Sequence, residues 1–448
     1  MNNLNILLIA AFVFSTTSNS LAQSNASNTV ENALNKDADR LVQIYKDIHQ
    51  NPELGFNETR TAGIIAKDLR SLGYTVKADI GVTGVVGIMK NGDGPIVMYR
   101  ADMDCNAVKE TTGLPYASTK IVKREDGSET PVMHACGHDA HVTWMLGIAK
   151  LMAENKDQWK GTLIMVGQPA EEPIMGAEAM VNDGLYTTHG VPKPDYLFGL
   201  HTAPVGLGLV AAATGVRMAG TDQIDVTFHG VGGHGSTPNL AKDPVVMAAS
   251  AVMQYQAIVS RGIDPKNSAV ITVGSIQAGS DNNVIPAKAL LKVNLRWFSE
   301  QDRQLMINGI KRINEGIAHA YNMPKDQYPE MKMKGWSTPL DNDTELTKTV
   351  QNSLVDLIGE KNILKEDRLP SIMGSEDFHH LVVHNEVKNY CYIQVGIAPP
   401  GMYQQAVKDG KMVPFGSHNG DFQIDLDAIP LGTKVGATGL LAIFNDLK

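Results

Sequence analysis

The chain has 448 residues, 43% hydrophobic and 19% charged, enough for two or three ordinary domains and too apolar for a disordered chain. Its formal net charge of -9, with no stretch that concentrates Lys and Arg, excludes a nucleic-acid partner bound by phosphate neutralisation. Cys105, Cys136 and Cys391 are too few and too scattered for a disulfide framework.

Residues 1–23 read as a signal peptide: an apolar core from Leu4 to Phe14 precedes the small-x-small pattern Ser20-Leu21-Ala22. The expectation is an exported protein, periplasmic or secreted. The apolar run is shorter than the roughly 20 residues a spanning helix needs, so no stable membrane span is expected after cleavage. A polar linker near Ser24 to Thr29 follows, and Val30 to Leu72 reads as helix. Apolar runs at Pro95 to Tyr99, Thr162 to Val166 and Tyr196 to Leu200 predict strands buried on both faces, with a helix from Val142 to Met152 between them. That alternation predicts an α/β fold built on an open, mixed sheet.

From about Ala219 the rhythm changes. A strand (Asp222 to His229), a glycine-rich loop, a helix (Asp243 to Arg261), two strands (Ser268 to Gln277 and Ala287 to Trp297), a helix (Glu300 to Tyr321) and a strand near Glu330 to Gly335 spell a ferredoxin-like α+β satellite. A helix at Thr344 to Ile358, a strand at Tyr390 to Val395 and a helix at Leu431 to Phe444 then return to α/β text. The expected division is a catalytic domain in two parts, 30–218 and 336–448, with the satellite 219–335 inserted for dimerisation and substrate contact.

The strand near Val97 runs into Asp102 and Asp104, the strand near Ile164 into Glu171-Glu172, and the strand near Phe198 into His201. Ligands of open α/β sheets gather at the carboxyl ends of strands. His134, Cys136 and His138 add softer donors, and Gly137 permits the tight path that would turn a thiolate and an imidazole into one cavity. A Cys, His and carboxylate shell suits zinc, while a carboxylate-rich one also admits manganese or cobalt. Of two adjacent acids at a strand end, one can hold the metal and its neighbour can take a proton from water. The residues do not say which is which.

These motifs resemble the M20 metallopeptidases, and most of all their aminoacylase and amidohydrolase subfamily, which includes hippurate hydrolases and auxin-conjugate hydrolases. The resemblance runs from about Val42 to Leu447 on His49-Gln50-Asn51-Pro52-Glu53-Leu54, Arg100 to Asp104, His134 to His141, Gln168 to Glu172, Gly235-Ser236-Thr237-Pro238 and Gly374 to Phe378. It implies a site for two divalent ions, zinc or manganese, with Cys136 bridging and His138, Glu172, His201 and His418 as further ligands. It also implies Glu171 as general base, and His234, Asn283 and Arg296 as substrate contacts of the satellite. His134 and Asp139 are left to orient the imidazole of the ligand loop and tune the metals.

The implied reaction is metal-dependent hydrolysis of the amide bond of N-acyl amino acids by activated water. A carboxypeptidase or dipeptidase with the same dinuclear site is the alternative. A non-catalytic binding protein would be marked by loss of Glu171 or of a ligand, and neither is lost. The implied partners are a small acylated amino acid or short peptide and, through the satellite, a second copy of the chain, with His234 able to serve the partner's site. Two departures from the family pattern bear on specificity: Cys105-Asn106-Ala107 after Asp104 in place of the usual Ala-Leu-Pro, and the polar insertion Lys123 to Thr130.

Overall fold

The structure, a computed structural model, describes residues 37–124, 127–383 and 387–447. The expected signal peptide, the linker and residues 30–36 of the first helix lie outside them. The single helix read from Val30 to Leu72 is two, one over 37–50 and one at Thr59–Ser71. Pro52 explains the break, because it lacks an amide donor and biases Asn51 away from helical geometry. Glu53 then takes over as a remote cap for the second helix, accepting from the Arg60 and Thr61 amides at 3.0 and 2.9 Å.

The three buried apolar runs are neighbouring parallel strands, Gly161–Gln168, Ile96–Asp102 and Tyr196–Gly206, with Ile96–Asp102 in the middle. Tyr390–Ala398 adds a further parallel strand beside Tyr196–Gly206. Antiparallel strands Thr75–Ile80 and Gly84–Asn91 extend one edge, and the short strands Val210–Ala211 and Ile363–Leu364 end the other, giving an eight-stranded mixed sheet. Because the central strands run the same way, their carboxyl ends share one edge. Asp102 is in register with Gln168, and His201 with Gln394.

Helices His138–Glu154 and Ala428–Asp446 cover one face of this sheet. Their approach depends on Gly432, where a Cβ would lie 2.2 Å from the Trp144 ring, and is fastened by the Trp144 indole N–H donating to the Ala428 carbonyl at 2.9 Å. The helix at Thr344–Ile358 has the expected bounds. Among the described residues no helix is long and apolar enough to cross a membrane.

The four-stranded antiparallel sheet has the order Val270–Ala278, Lys288–Trp297, Gly220–His229, Glu330–Ser337, the ferredoxin-like arrangement. Helices Pro244–Gly262 and Glu300–Ala320 supply it with a core of its own, which contains Phe228, Tyr255 and Trp297. Along Lys288–Trp297 the buried positions alternate, so Leu295 and Trp297 face that core while Asn294 and Arg296 face away from it. The chain leaves and re-enters the larger sheet through one ribbon, where Gly215–Met218 pairs with Leu340–Asn342.

Candidate metal centre

The ligand loop is shaped by Gly137. This residue has φ +82° and starts the His138–Glu154 helix, and a Cβ there would lie 2.7 Å from the Thr202 side chain. The kink turns Cys136 toward the sheet edge, where its Sγ lies 3.5 Å from His201 Nε2. His201 is inside its strand, because pairing with Tyr390–Ala398 carries the ladder on to Gly206. Its Nδ1 donates to the Thr202 carbonyl at 2.6 Å, which leaves the Nε2 lone pair facing Cys136.

His138 is held by Nδ1, 3.2 Å from Asp104 Oδ1. Its buried Nε2 has no hydrogen-bond partner, and Glu172 Oε1 has none either. Around that nitrogen stand Asp102 Oδ2 at 3.6 Å, Glu172 Oε1 at 3.8 Å and Glu171 Oε2 at 3.9 Å. Such spacings are too long for hydrogen bonds and close to the roughly 3.4 Å between neighbouring tetrahedral ligands at ~2.1 Å from an ion. His418, in left-handed geometry at φ +64° and tied to the ligand loop by its N–H to the Ala135 carbonyl, places Nε2 3.3 Å from Glu172 Oε2. Orphaned donors of this kind and arrangement fit a metal site. Cys136, His138 and Glu172 form one converging group and His138 and His201 belong to a second, so His138 is common to both.

Asp102 and His141 also stand in the second group, and neither was singled out as a ligand from the sequence. Their atoms are engaged elsewhere. His141 Nδ1 meets Asp102 Oδ1 at 2.5 Å and its Nε2 accepts from the Thr202 N–H at 2.8 Å, while Asp102 Oδ2 accepts from Arg100 at 2.7 Å. They brace the edge from behind. The spacing of His138 and His141, one helical turn apart, is the signal that could have found this pairing.

Burial raises the Cys136 thiol, but His201 and His138 outweigh it and bring the group down to about 6, so it faces the site as a thiolate at neutral pH. Burial, then the carboxylates of Glu376 and Glu172, push Glu171 well above the usual carboxylate range. Divalent ions held by the neighbouring donors would favour its ionised form, the form that can take a proton from water and release it again.

Beneath the site, fully buried Arg100 donates to Gln168 at 2.7 Å, Asp102 at 2.7 Å, Glu376 at 2.8 Å, and Asp377 and Tyr392 at 3.2 Å. Sequence reasoning gave Arg100, Glu376 and Asp377 no role. The legible sign was a lone Arg in the apolar strand Ile96-Val97-Met98-Tyr99-Arg100.

The expected role of Asp139 needs correction. It does not orient His138, whose ring is held by Asp104. One residue further round the helix, it points elsewhere and meets His49 Nδ1 at 2.6 Å. His134 is buried, and neither of its ring nitrogens has a hydrogen-bond partner. Of the satellite residues, Arg296 reaches the site: its Nη1 donates to Ser375 Oγ, in the same motif as Glu376, and its Nε to Asn294 Oδ1 at 2.8 Å. No carboxylate of the described residues lies within ion-pair distance of it, and burial lowers its pKa. His234 and Asn283 sit together on an exposed ribbon, joined by the Gly235 N–H to the Asn283 carbonyl at 2.8 Å. No hydrogen bond or ion pair of the described residues ties them to the metal cluster.

The profile of peptidase family M20/M25/M40 matches residues 98–438. A hippurate hydrolase of Campylobacter jejuni is 40% identical over 340 residues, 75% of this chain and 83% of that protein. A thermostable carboxypeptidase 2 of Saccharolobus solfataricus is 33% identical over 424 residues, 92% of this chain and 97% of that protein. Among solved structures, a dinuclear metal-binding peptidase of Bacillus subtilis superposes with TM-score 0.67 at 25% identity, covering 92% of this chain and 99% of its own.

Proposed function

The chain belongs to the M20/M25/M40 peptidase family, in its aminoacylase and amidohydrolase branch, and on that premise we propose that its strand-edge cluster hydrolyses the amide bond of N-acyl amino acids. The observation that carries this reading is the convergence of unpartnered His138 Nε2 and Glu172 Oε1 on one point beside Glu171, with the Arg296 guanidinium, in ion-pair contact with no described carboxylate, at the same edge. Cys136, His138, Glu172, His201 and His418 would hold two divalent ions, zinc or manganese, which when bound polarise the scissile carbonyl and acidify water.

Glu171 accepts the proton from water at a carboxylate oxygen and passes it to the departing amine nitrogen, so the amide yields a carboxylate and a free amino acid. Arg296 has donors to spare and forms no ion pair with a described carboxylate, although it feels the charge of Glu171, so it suits the α-carboxylate of the amino-acid half.

A carboxypeptidase acting at the same centre is the second reading, supported by the carboxypeptidase relative whose match covers 92% of this chain. A panel of acylated amino acids against dipeptides, with metal content measured in parallel, separates the two. Glu171→Gln should keep metal and bind substrate while turnover is lost. Retained turnover would sink the assignment of the base.

Two further proposals stand on separate observations. The Ser20-Leu21-Ala22 pattern supports export, tested by the N-terminus of the mature protein. Exposed Val246 and Met253 on one satellite helix, Ile276 on the edge strand and Val284 beside His234 support a homodimer in which His234 serves the partner's site. Light scattering on the purified protein tests the dimer.

A further inference from the structure

Glu171 and Glu172 stand on a strained turn. The residue before them, Ala170, has φ +46°, a left-handed conformation that a side chain with a Cβ adopts only when its surroundings impose it. Part of the turn closes on itself: the Ala170 carbonyl accepts from the Met175 and Gly176 amides at 3.2 and 3.0 Å. The Ala170 N–H finds its partner outside the turn, in Glu58 Oε1 at 2.8 Å.

Glu58 is wholly buried at the foot of the Thr59–Ser71 helix, 112 residues earlier in the chain. Its other oxygen accepts from Thr83 Oγ1 at 2.6 Å, in the turn between the first two strands. Gly55, three residues before it, lets the backbone close on the same spot, since a Cβ there would lie 3.1 Å from Ala170 Cα. On the far side of Glu171, the Glu172 N–H is held by Asp104 Oδ2 at 3.0 Å. The N–H groups of residues 170 and 172 are therefore both pinned by carboxylates from other elements, and the Glu171 side chain between them is left to face the cluster. A buried acid without a cation beside it is costly unless it is hydrogen-bonded, and each Glu58 oxygen accepts one hydrogen bond.

We infer that Glu58 is a positioning residue: by accepting the Ala170 N–H it fixes the left-handed turn that aims Glu171 at the reacting carbonyl and Glu172 at the metals. The inference rests on the reading of Glu171 as the base.

The test compares Glu58→Leu, Glu58→Gln and Thr83→Val in the full-length, metal-loaded protein on an N-acyl amino acid. Misplacement of a catalytic group by about 1 Å can cost roughly 100-fold, so Glu58→Leu should lose kcat on that order with KM within about twofold. Glu58→Gln keeps an acceptor for the Ala170 N–H and should stay within about fivefold. Deuterium uptake of the peptide spanning 167–176 should rise in Glu58→Leu and not in Glu58→Gln, whatever the activity. If Glu58→Leu does not fold, Thr83→Val, which frees the carboxylate from one side, should show a smaller fall in kcat with the same unchanged KM. Unchanged kcat and uptake in Glu58→Leu, equal damage in Glu58→Leu and Glu58→Gln, or an unaffected Thr83→Val where Glu58→Leu cannot be made, would overturn the inference. Glu171→Gln run alongside keeps the two claims apart: if it remains active the base assignment falls, and if it is dead while Glu58→Leu is normal only the positioning role falls.

Discussion

His49 Nδ1 lies 2.6 Å from Asp139 Oδ2, and its Nε2 lies 3.2 Å from Glu110 Oε1, all three side chains buried. The imidazole ties the first helix to the residue that follows ligand His138 and to the segment after Asn106. Burial alone would push His49 down, but its hydrogen bonds to Asp139 and Glu110 outweigh it and raise the group to about 9. A folded pKa above the unfolded one gives stability that is complete below about 6.5 and disappears as pH rises through about 9. The shift corresponds to roughly 3 kcal/mol. His49→Gln should therefore lower the thermal midpoint strongly at pH 6 and little at pH 9.5, measured in one metal buffer. A gap of equal size at both pH values would show that the pair contributes packing alone.

Cys136 faces His201 across 3.5 Å and also converges with His138 and Glu172. If both ions depend on it, Cys136→Ala should lose metal from both positions, and activity by far more than the roughly 10–100-fold typical of residues that only support a ligand. His418→Ala, whose ring is half exposed and meets only Glu172 among the acids, should lose about one ion per chain. Elemental analysis after dialysis against a chelator and reconstitution distinguishes them. Two retained ions in Cys136→Ala would end the bridging assignment.

The parallel strands were legible because a strand buried on both faces is uniformly apolar, and Gly161–Gln168, Ile96–Asp102 and Tyr196–Gly206 all carry that mark. From their shared direction follows the shared edge on which Asp102, Glu171, Glu172 and His201 meet. The single helix read from Val30 to Leu72 ends at Pro52, a stop that the sequence does carry, while the remote side-chain cap by Glu53 that starts the second helix leaves no local pattern. Pairings across long sequence distance left no local trace: His49 with Asp139, Glu58 with Ala170 and Arg100 with Glu376 span 90, 112 and 276 residues. Local patterns locate ligands. The residues that hold those ligands in place come from wherever the topology delivers a carboxylate.

Arg296 donates to Ser375 and Asn294 and is in ion-pair contact with no described acid, so an incoming carboxylate would be its first hydrogen-bonded anionic partner. A charged hydrogen bond of roughly 1.5–3 kcal/mol corresponds to a 10- to 150-fold effect. Arg296→Ala should raise KM by that order for N-acyl amino acids and barely change it for the matching amino-acid amides. Arg296→Lys should recover only part of the loss, because an ammonium cannot reproduce the two-pronged contact. Steady-state kinetics on an acid and amide pair decides the matter. Equal losses on both would move Arg296 from the carboxylate to the interface with Ser375.

Among the described residues Arg100 is the one Lys or Arg within ion-pair distance of Asp102, Glu376 and Asp377, in a region without solvent access. Removing it leaves Glu376 and Asp377 without a cation and Asp102 with only the imidazoles of His138 and His141, and breaking such a pair costs about 3–5 kcal/mol. Arg100→Met should lower the urea midpoint accordingly, and adding Glu376→Gln and Asp377→Asn should restore part of the loss, since fewer charges then need a partner. The same residue also supports the metal site through a continuous chain of contacts. Arg100 holds Asp102, Asp102 holds His141, His141 accepts the Thr202 N–H, and Thr202 Oγ1 donates to the Cys136 carbonyl at 2.7 Å. In the charge-compensated triple variant, stability should return further than metal affinity, because the Arg100 donor to Asp102 is still missing. Parallel recovery of both, read by urea titration and by competition with a chromophoric chelator, would mean that Arg100 only neutralises charge and does not orient the metal-binding edge.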